Sequence, residues 1–248
     1  MAVDLTRRAV AEGLGTAGLL AAVVGSGIMG ERLAGGNLAV ALLANSLATG
    51  GALLAIISAL QPISGAHLNP LVSAADWVLG RAGRDGPPGR HLTAYALVQV
   101  VAAVGGALLA NAMFDVPAGC ATTDRSDWRL WLGEVVATAG LVTLVFALAR
   151  TGRHALAGPA VGAYIGAAYW FTSSTSFANP AVTVGRMVTD SFTGIAPSSV
   201  LPFVAAQVLG AAVGVVLVRV LYPYVAEPAG HPVAPLAPDL VDSTGGPA

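Results

Sequence analysis

Apolar residues come in six long runs, at about positions 9–29, 38–60, 92–113, 130–149, 156–172 and 197–222. Each is near the ~20 residues a helix needs to cross a hydrocarbon core, the fifth being the shortest. Two further apolar segments, 69–79 and 179–188, are about half that length. They are too short to span and read as re-entrant half helices, which a bilayer tolerates where irregular backbone lines a cavity or is buried in protein.

Both short segments open on the same dipeptide, in Asn69-Pro70-Leu71 and Asn179-Pro180-Ala181. Proline at a first helical position sacrifices an N–H that would have no partner anyway, and asparagine before it caps the turn. Other markers recur in the same order. Glu12-x-x-x-Thr16-Ala17-Gly18-Leu19 returns as Glu134-x-x-x-Thr138-Ala139-Gly140-Leu141, and Gln99-Val100 returns as Gln207-Val208. Three spans is an odd number, so the second copy crosses the membrane in the opposite sense, giving an inverted repeat. The half helices then enter from opposite faces, and their N-terminal ends meet near the midplane with unsatisfied N–H groups and partial positive charge. Asn69 and Asn179 add side-chain amides that can donate to a passing oxygen.

Composition agrees: 55% of the residues are hydrophobic and 10% charged, against roughly 25% charged in an average soluble domain. All twelve basic residues other than histidine are arginine. Placing both termini in the cytoplasm puts Arg7, Arg8, Arg81, Arg84, Arg90, Arg150, Arg153 and Arg219 inside and leaves Arg32, Arg125, Arg129 and Arg186 outside, the orientation the positive-inside rule favours. Residues 114–129 become a mildly acidic external loop carrying the lone Cys120, a plain thiol. Glu12 and five further spans argue against reading Arg7-Arg8 and the first run as a signal peptide. Residues 223–248, rich in Pro and Gly, read as a disordered cytoplasmic extension. A net charge of -1 offers no nucleic-acid footprint.

The residues Ala11-Glu12-x-x-Gly15-Thr16, Ser64-Gly65-Ala66-His67-x-Asn69-Pro70, Ala94-Tyr95-x-x-x-Gln99 and Phe177-Ala178-Asn179-Pro180-Ala181 resemble the aquaporin, or major intrinsic protein, family in order and spacing. The resemblance covers about residues 8–222. It implies an all-α membrane protein with six transmembrane helices, two half helices and an inverted 3+3 repeat, in one channel domain of residues 1–222 (repeats about 5–113 and 128–222). It further implies a homotetramer with one pore per subunit, in the cell membrane.

Departures from the family pattern bear on the solute. An Arg usually follows three residues after the second Asn, in the outer selectivity filter; this chain has Val182. The other filter positions that the resemblance implies are Thr49, Ser176, and Ala167 by straight counting or Tyr169 if the connecting loop is shorter. Such a filter is wider and more apolar than that of a water channel. Leu71 replaces the usual Ala and either repacks the half-helix contact or narrows the midplane, while Val72, equivalent to Val182 in the repeat, is assigned to no constriction. Arg186 lies one turn beyond Val182: either a vestibule charge, or a side chain that snorkels or pairs with Asp190.

An intramembrane acid is a functional candidate by default. In this family, however, Glu12 and Glu134 resemble buried acceptors for loop backbone. Gln99 and Gln207 tie helices together, and His67 either supports the re-entrant loop or lines the pore. The reading is a passive channel for small neutral solutes: glycerol-like polyols, arsenite or related metalloids, and water. The nearest resemblance is to Arg-less bacterial channels associated with arsenic handling. A water-selective channel is the alternative, and a secondary transporter the third. No nucleophile and base pair, metal-ligand spacing or phosphate loop marks an enzyme, and no cofactor is expected.

Overall fold

The computed structural model describes residues 4–82 and 89–223; Arg84 and all of the C-terminal extension except Pro223 lie outside them. Six longer helices and two half helices make up the described chain: α1 (Leu5–Leu33), α2 (Leu38–Ser64), α3 (Pro70–Ala82), α4 (Gly89–Met113), α5 (Trp128–Arg150), α6 (Ala157–Phe171), α7 (Pro180–Gly185) and α8 (Pro197–Leu221). Five of them are long and apolar enough to cross a membrane. The sixth, α6, has 15 residues but continues a 3-10 turn at His154–Leu156. At ~1.5 Å per α-helical and ~2.0 Å per 3-10 residue, the two reach about 28 Å, close to the ~30 Å core.

Local sequence fixes the helix ends. The Asp4, Asn37 and Asp127 side chains accept backbone N–H groups at the starts of α1, α2 and α5, each removing an orphan donor. Gly65 closes α2 at a φ of 94°, a left-handed conformation that glycine adopts without a Cβ clash.

Packing follows the repeat. Helix α1 lies against α2 and α4, α5 against α6 and α8, and α2 against α6 across the two halves. Half helix α3 touches α4 of its own half and α8 of the other; α7 touches α8 and α4 in return. Small residues permit the closest approaches. A Cβ on Gly214 would lie 2.8 Å from the Ala139 carbonyl oxygen, and one on Gly106 would collide with the carbonyl of Ala17, the repeat counterpart of Ala139. Large apolar side chains such as Leu14, Leu47, Val101, Leu201 and Val220 are exposed on the outer faces. In water that surface would be a severe liability; in lipid it is the solvated one.

Candidate functional site

The segments before the half helices are not helical, and they build the site. Ala66 and Leu68 in the first, and Ser176 and Ala178 in the second, hold φ values of 50, 49 or 51°: Ala66 49°, Leu68 51°, Ser176 50° and Ala178 49°. For a non-glycine residue this conformation costs roughly 1–2 kcal/mol. The compensation is visible. Glu12 Oε1 accepts from the Ser64 hydroxyl (2.6 Å) and the His67 N–H (2.9 Å), and its Oε2 accepts from the Leu68 N–H (2.7 Å) and the Gln99 amide (2.8 Å). In the second half, Glu134 accepts from the Phe177 N–H, the Ala178 N–H and the Gln207 amide at 2.8, 2.8 and 2.6 Å. Gln207 also donates to the Thr183 hydroxyl at 2.8 Å, and Gln99 reaches the equivalent Ser73 hydroxyl at 3.4 Å. Both glutamates are fully buried. Each such hydrogen bond contributes about 0.5–1.5 kcal/mol net, so three or four per glutamate offset strain in the loop they hold.

At the centre the asparagines are locked to each other's loops. Asn69 Nδ2 donates to the Ala178 carbonyl at 2.8 Å, and Asn179 Nδ2 donates to the Leu68 carbonyl at 2.7 Å. Their carbonyl oxygens face the other way, Asn69 Oδ1 accepting from the Leu71 N–H at 2.9 Å and Asn179 Oδ1 from the Ala181 N–H at 2.9 Å. Each amide nitrogen carries two hydrogens, and these contacts use one. Both residues line the same internal cavity, so the second N–H of each is placed to serve it.

That cavity runs past both loops. Its apolar lining comes from the long helices, including Leu53 and Ile57 of α2, Leu141 and Val145 of α5, and Val161 and Ile165 of α6. Most polar groups come from the loop segments and half helices, including Asn69, Ser176, Asn179 and Arg186, and α2 and α6 add the Thr49 and Tyr169 hydroxyls, so apolar helix walls stand with a limited set of hydrogen-bonding groups. Toward the α7 end the lining includes Thr49, Tyr169, Ser176, Val182 and Arg186. The Thr49 and Tyr169 hydroxyls lie 3.2 Å apart, and the Ser176 hydroxyl is buried without a hydrogen-bond partner among the described residues.

Several sequence expectations change here. Of the two candidates for the fourth filter position, Tyr169 lines the cavity, whereas Ala167 is exposed on the outer face of α6. The position that reaches the cavity is the one expected for a shorter connecting loop. Val72 also faces the cavity, in the place that Val182 occupies in the other half. Leu71 instead packs against the hydrophobic core, so it repacks the contact and does not join the lining. Arg186 neither snorkels nor pairs with Asp190. It is 2% exposed, its Nε donates to the Thr193 carbonyl and its guanidinium lies over the Phe177 ring. Asp190 is engaged elsewhere, accepting from the Thr122 N–H and hydroxyl at 2.9 and 3.0 Å. His67 does both things considered for it: it lines the cavity, and its Nδ1 lies 3.0 Å from the Ser73 hydroxyl. Pro70 and Pro180 open α3 and α7, and Ala181 is fully buried beside Asn179. Cys120 is an exposed free thiol.

Comparison with known proteins places the chain among relatives of the same architecture. The profile of the family described as Major intrinsic protein matches residues 1–178. The aquaglyceroporin AqpS of Rhizobium meliloti is 48% identical over 217 residues, covering 87% of this chain and 90% of that protein. Aquaporin AqpM of Methanothermobacter marburgensis is 29% identical over 248 residues, covering 90% and 98%. Among solved structures, the aquaglyceroporin from Plasmodium falciparum superposes with a TM-score of 0.63 at 17% identity, covering 88% of this chain and 96% of that one. At that identity the last match speaks for the fold alone.

Proposed function

The chain belongs to the major intrinsic protein family, and from that premise we propose that it is a passive channel whose preferred solutes are small, neutral and rich in hydroxyl groups, glycerol foremost. One observation carries the preference: apolar cavity walls set with a limited number of hydrogen-bonding groups. A polyol has a carbon face and an oxygen face. Leu53, Ile57, Leu141, Val161 and Ile165 can take the first, while the Asn69 and Asn179 amides replace lost water partners for the second. Water has no carbon face to benefit. The similarity to AqpS, named an aquaglyceroporin, supports the same choice.

The pore seat is then Asn69, Pro70, Asn179, Pro180 and Ala181 at the midplane, with Thr49, Tyr169, Ser176 and Val182 forming the narrow outer end. Arsenite, as neutral As(OH)3, displays its hydroxyls much as glycerol does and belongs to the same solute class. Arginine placement supports cytoplasmic termini in the cell membrane, and the continuous apolar flanks suit burial in lipid and between subunits of a homotetramer. The water-selective alternative meets Thr49 and Val182, which do not supply the bulk such a filter needs.

The full chain in liposomes, followed by stopped-flow light scattering in glycerol, urea, arsenite and sorbitol gradients, tests the proposal. Fast, non-saturating glycerol and arsenite entry with sorbitol excluded is expected. Water flux without glycerol flux would establish the alternative, and saturable uptake driven by a proton gradient would mean a transporter.

A further inference from the structure

Position 182 carries no charge, yet the α7 end of the cavity is not without one. Helix α7 stops at Gly185 and the chain tightens into a 3-10 turn at Arg186–Val188. The turn holds the Arg186 side chain in the cavity lining, where the residue is 2% exposed. The guanidinium carbon sits 3.4 Å from the centroid of the Phe177 ring, and Nε donates to the Thr193 carbonyl. Its remaining nitrogens have no hydrogen-bond acceptor among the described residues, and no carboxylate there lies within ion-pair distance. Glu134 does not neutralise it by contact, since that carboxylate is occupied by Phe177, Ala178 and Gln207. A second cation, Arg125, lies on the same Phe177 ring at 5.0 Å. The Ser176 hydroxyl, buried and unpartnered, completes the polar edge of this end.

We propose that Arg186 is the fixed positive charge of the channel's narrow end, supplied one turn later in the chain than Val182, and that it excludes cations of the same size and shape as the neutral solutes that pass. The inference rests on the channel reading above. A guanidinium stays protonated at all physiological pH values, and one clamped by a carbonyl and an aromatic face cannot swing aside. A solute oxygen can accept from its free N–H groups, while a solute cation meets uncompensated like charge in a poorly solvated passage. Position 182 is then free to be small and apolar without opening the path to cations.

Urea and guanidinium make the probe pair, being planar, nearly isosteric and different in charge. Proteoliposomes of the full chain are compared for wild type, Arg186→Gln and Arg186→Lys, with glycerol flux as the reference. Wild type is expected to pass urea at least about tenfold faster than guanidinium. In Arg186→Gln the guanidinium-to-urea ratio, read within that one variant, should rise by about tenfold, with glycerol flux serving only to show that the channel is folded and open; Arg186→Lys, which keeps the charge, should retain exclusion. Wild type passing guanidinium as readily as urea overturns the proposal without any variant. So does Arg186→Gln with normal glycerol flux and an unchanged ratio. Should Arg186→Gln fail to fold, Arg186→Lys decides: normal glycerol flux with lost exclusion overturns it, and retained exclusion supports it. Wild-type liposomes that pass neither glycerol nor urea would instead sink the channel reading itself.

Discussion

Thr49 of α2 and Tyr169 of α6 bring their hydroxyls to 3.2 Å across the two halves of the repeat, beside Val182 and Ser176 in the lining of one cavity. The pair couples the α2 and α6 interface to the α7 end of the cavity. The contact holds the Tyr169 phenol in place against the cavity.

Removing that ring should widen the passage. Tyr169→Ala is expected to raise the flux of four-carbon polyols relative to glycerol by about fivefold or more, because exclusion at a constriction falls as bulk leaves it. Ala167→Leu, on the exposed side of the same helix, should change neither by more than about twofold. Liposome shrinkage in erythritol and glycerol gradients separates the two. Equal effects would mean that Tyr169 does not set the width.

The asparagine lock makes a second expectation. Asn69→Asp or Asn179→Asp keeps an oxygen for the helix cap but replaces the donating amide with an acceptor that faces the Ala178 or Leu68 carbonyl. Two acceptors cannot share a hydrogen that neither has, so a buried bond of about 1–3 kcal/mol is lost and the loops separate. Glycerol flux should fall at least about tenfold per folded channel. Full flux with either Asp variant would show that the cross-bonds are dispensable.

Glu134→Gln tests the anchor beneath the second loop. The carboxylate accepts three N–H groups, and an amide can accept at only one of its two ends. About 2–4 kcal/mol of stability should disappear, read as a drop in thermal midpoint and in recovery of monodisperse protein from detergent. An unchanged midpoint would remove the glutamate from the account of how the strained loop is held.

One pH effect has a defined sign. Asp124, in the loop between α4 and α5, accepts from the Ser126 N–H and hydroxyl and from the Ser199 hydroxyl of α8. These bonds, from the side chain of Ser126 first, hold its carboxyl below the ordinary 3.8. A depressed folded value gives stability that is full above 3.8 and is lost as pH falls through the folded value beneath it. The wild-type midpoint should therefore drop more steeply than that of Asp124→Asn below that pH, and parallel profiles would contradict this.

Much of the fold was legible because the repeat markers are chemical and not merely apolar. Glu12 and Glu134, Gln99 and Gln207, and the two Asn-Pro pairs occupy matching places in the structure because each loop needs the same carboxylate and the same amide. Loop length and distant contacts were what the residue pattern did not carry. Ala167 came from a straight residue count and Tyr169 from allowing a shorter connecting loop, and only Tyr169 reaches the cavity. Of the two readings of Arg186, the 3-10 turn after α7 keeps it in the cavity lining and not at a snorkelling position. Its supposed partner Asp190 was lost to Thr122, a contact 68 residues away that no local pattern announces. Val72 could have been found from the repeat, since Val182 was already assigned to the lining.

Val182→Arg in proteoliposomes tests whether the apolar lining, ending at a small residue at position 182, admits polyols. The variant should lower glycerol and arsenite flux at least about tenfold while osmotic water flux falls less than about threefold, because added bulk and charge at a constriction exclude larger solutes first. If glycerol and water fall together, or if glycerol flux is unchanged, Val182 does not set the solute range and the account is wrong.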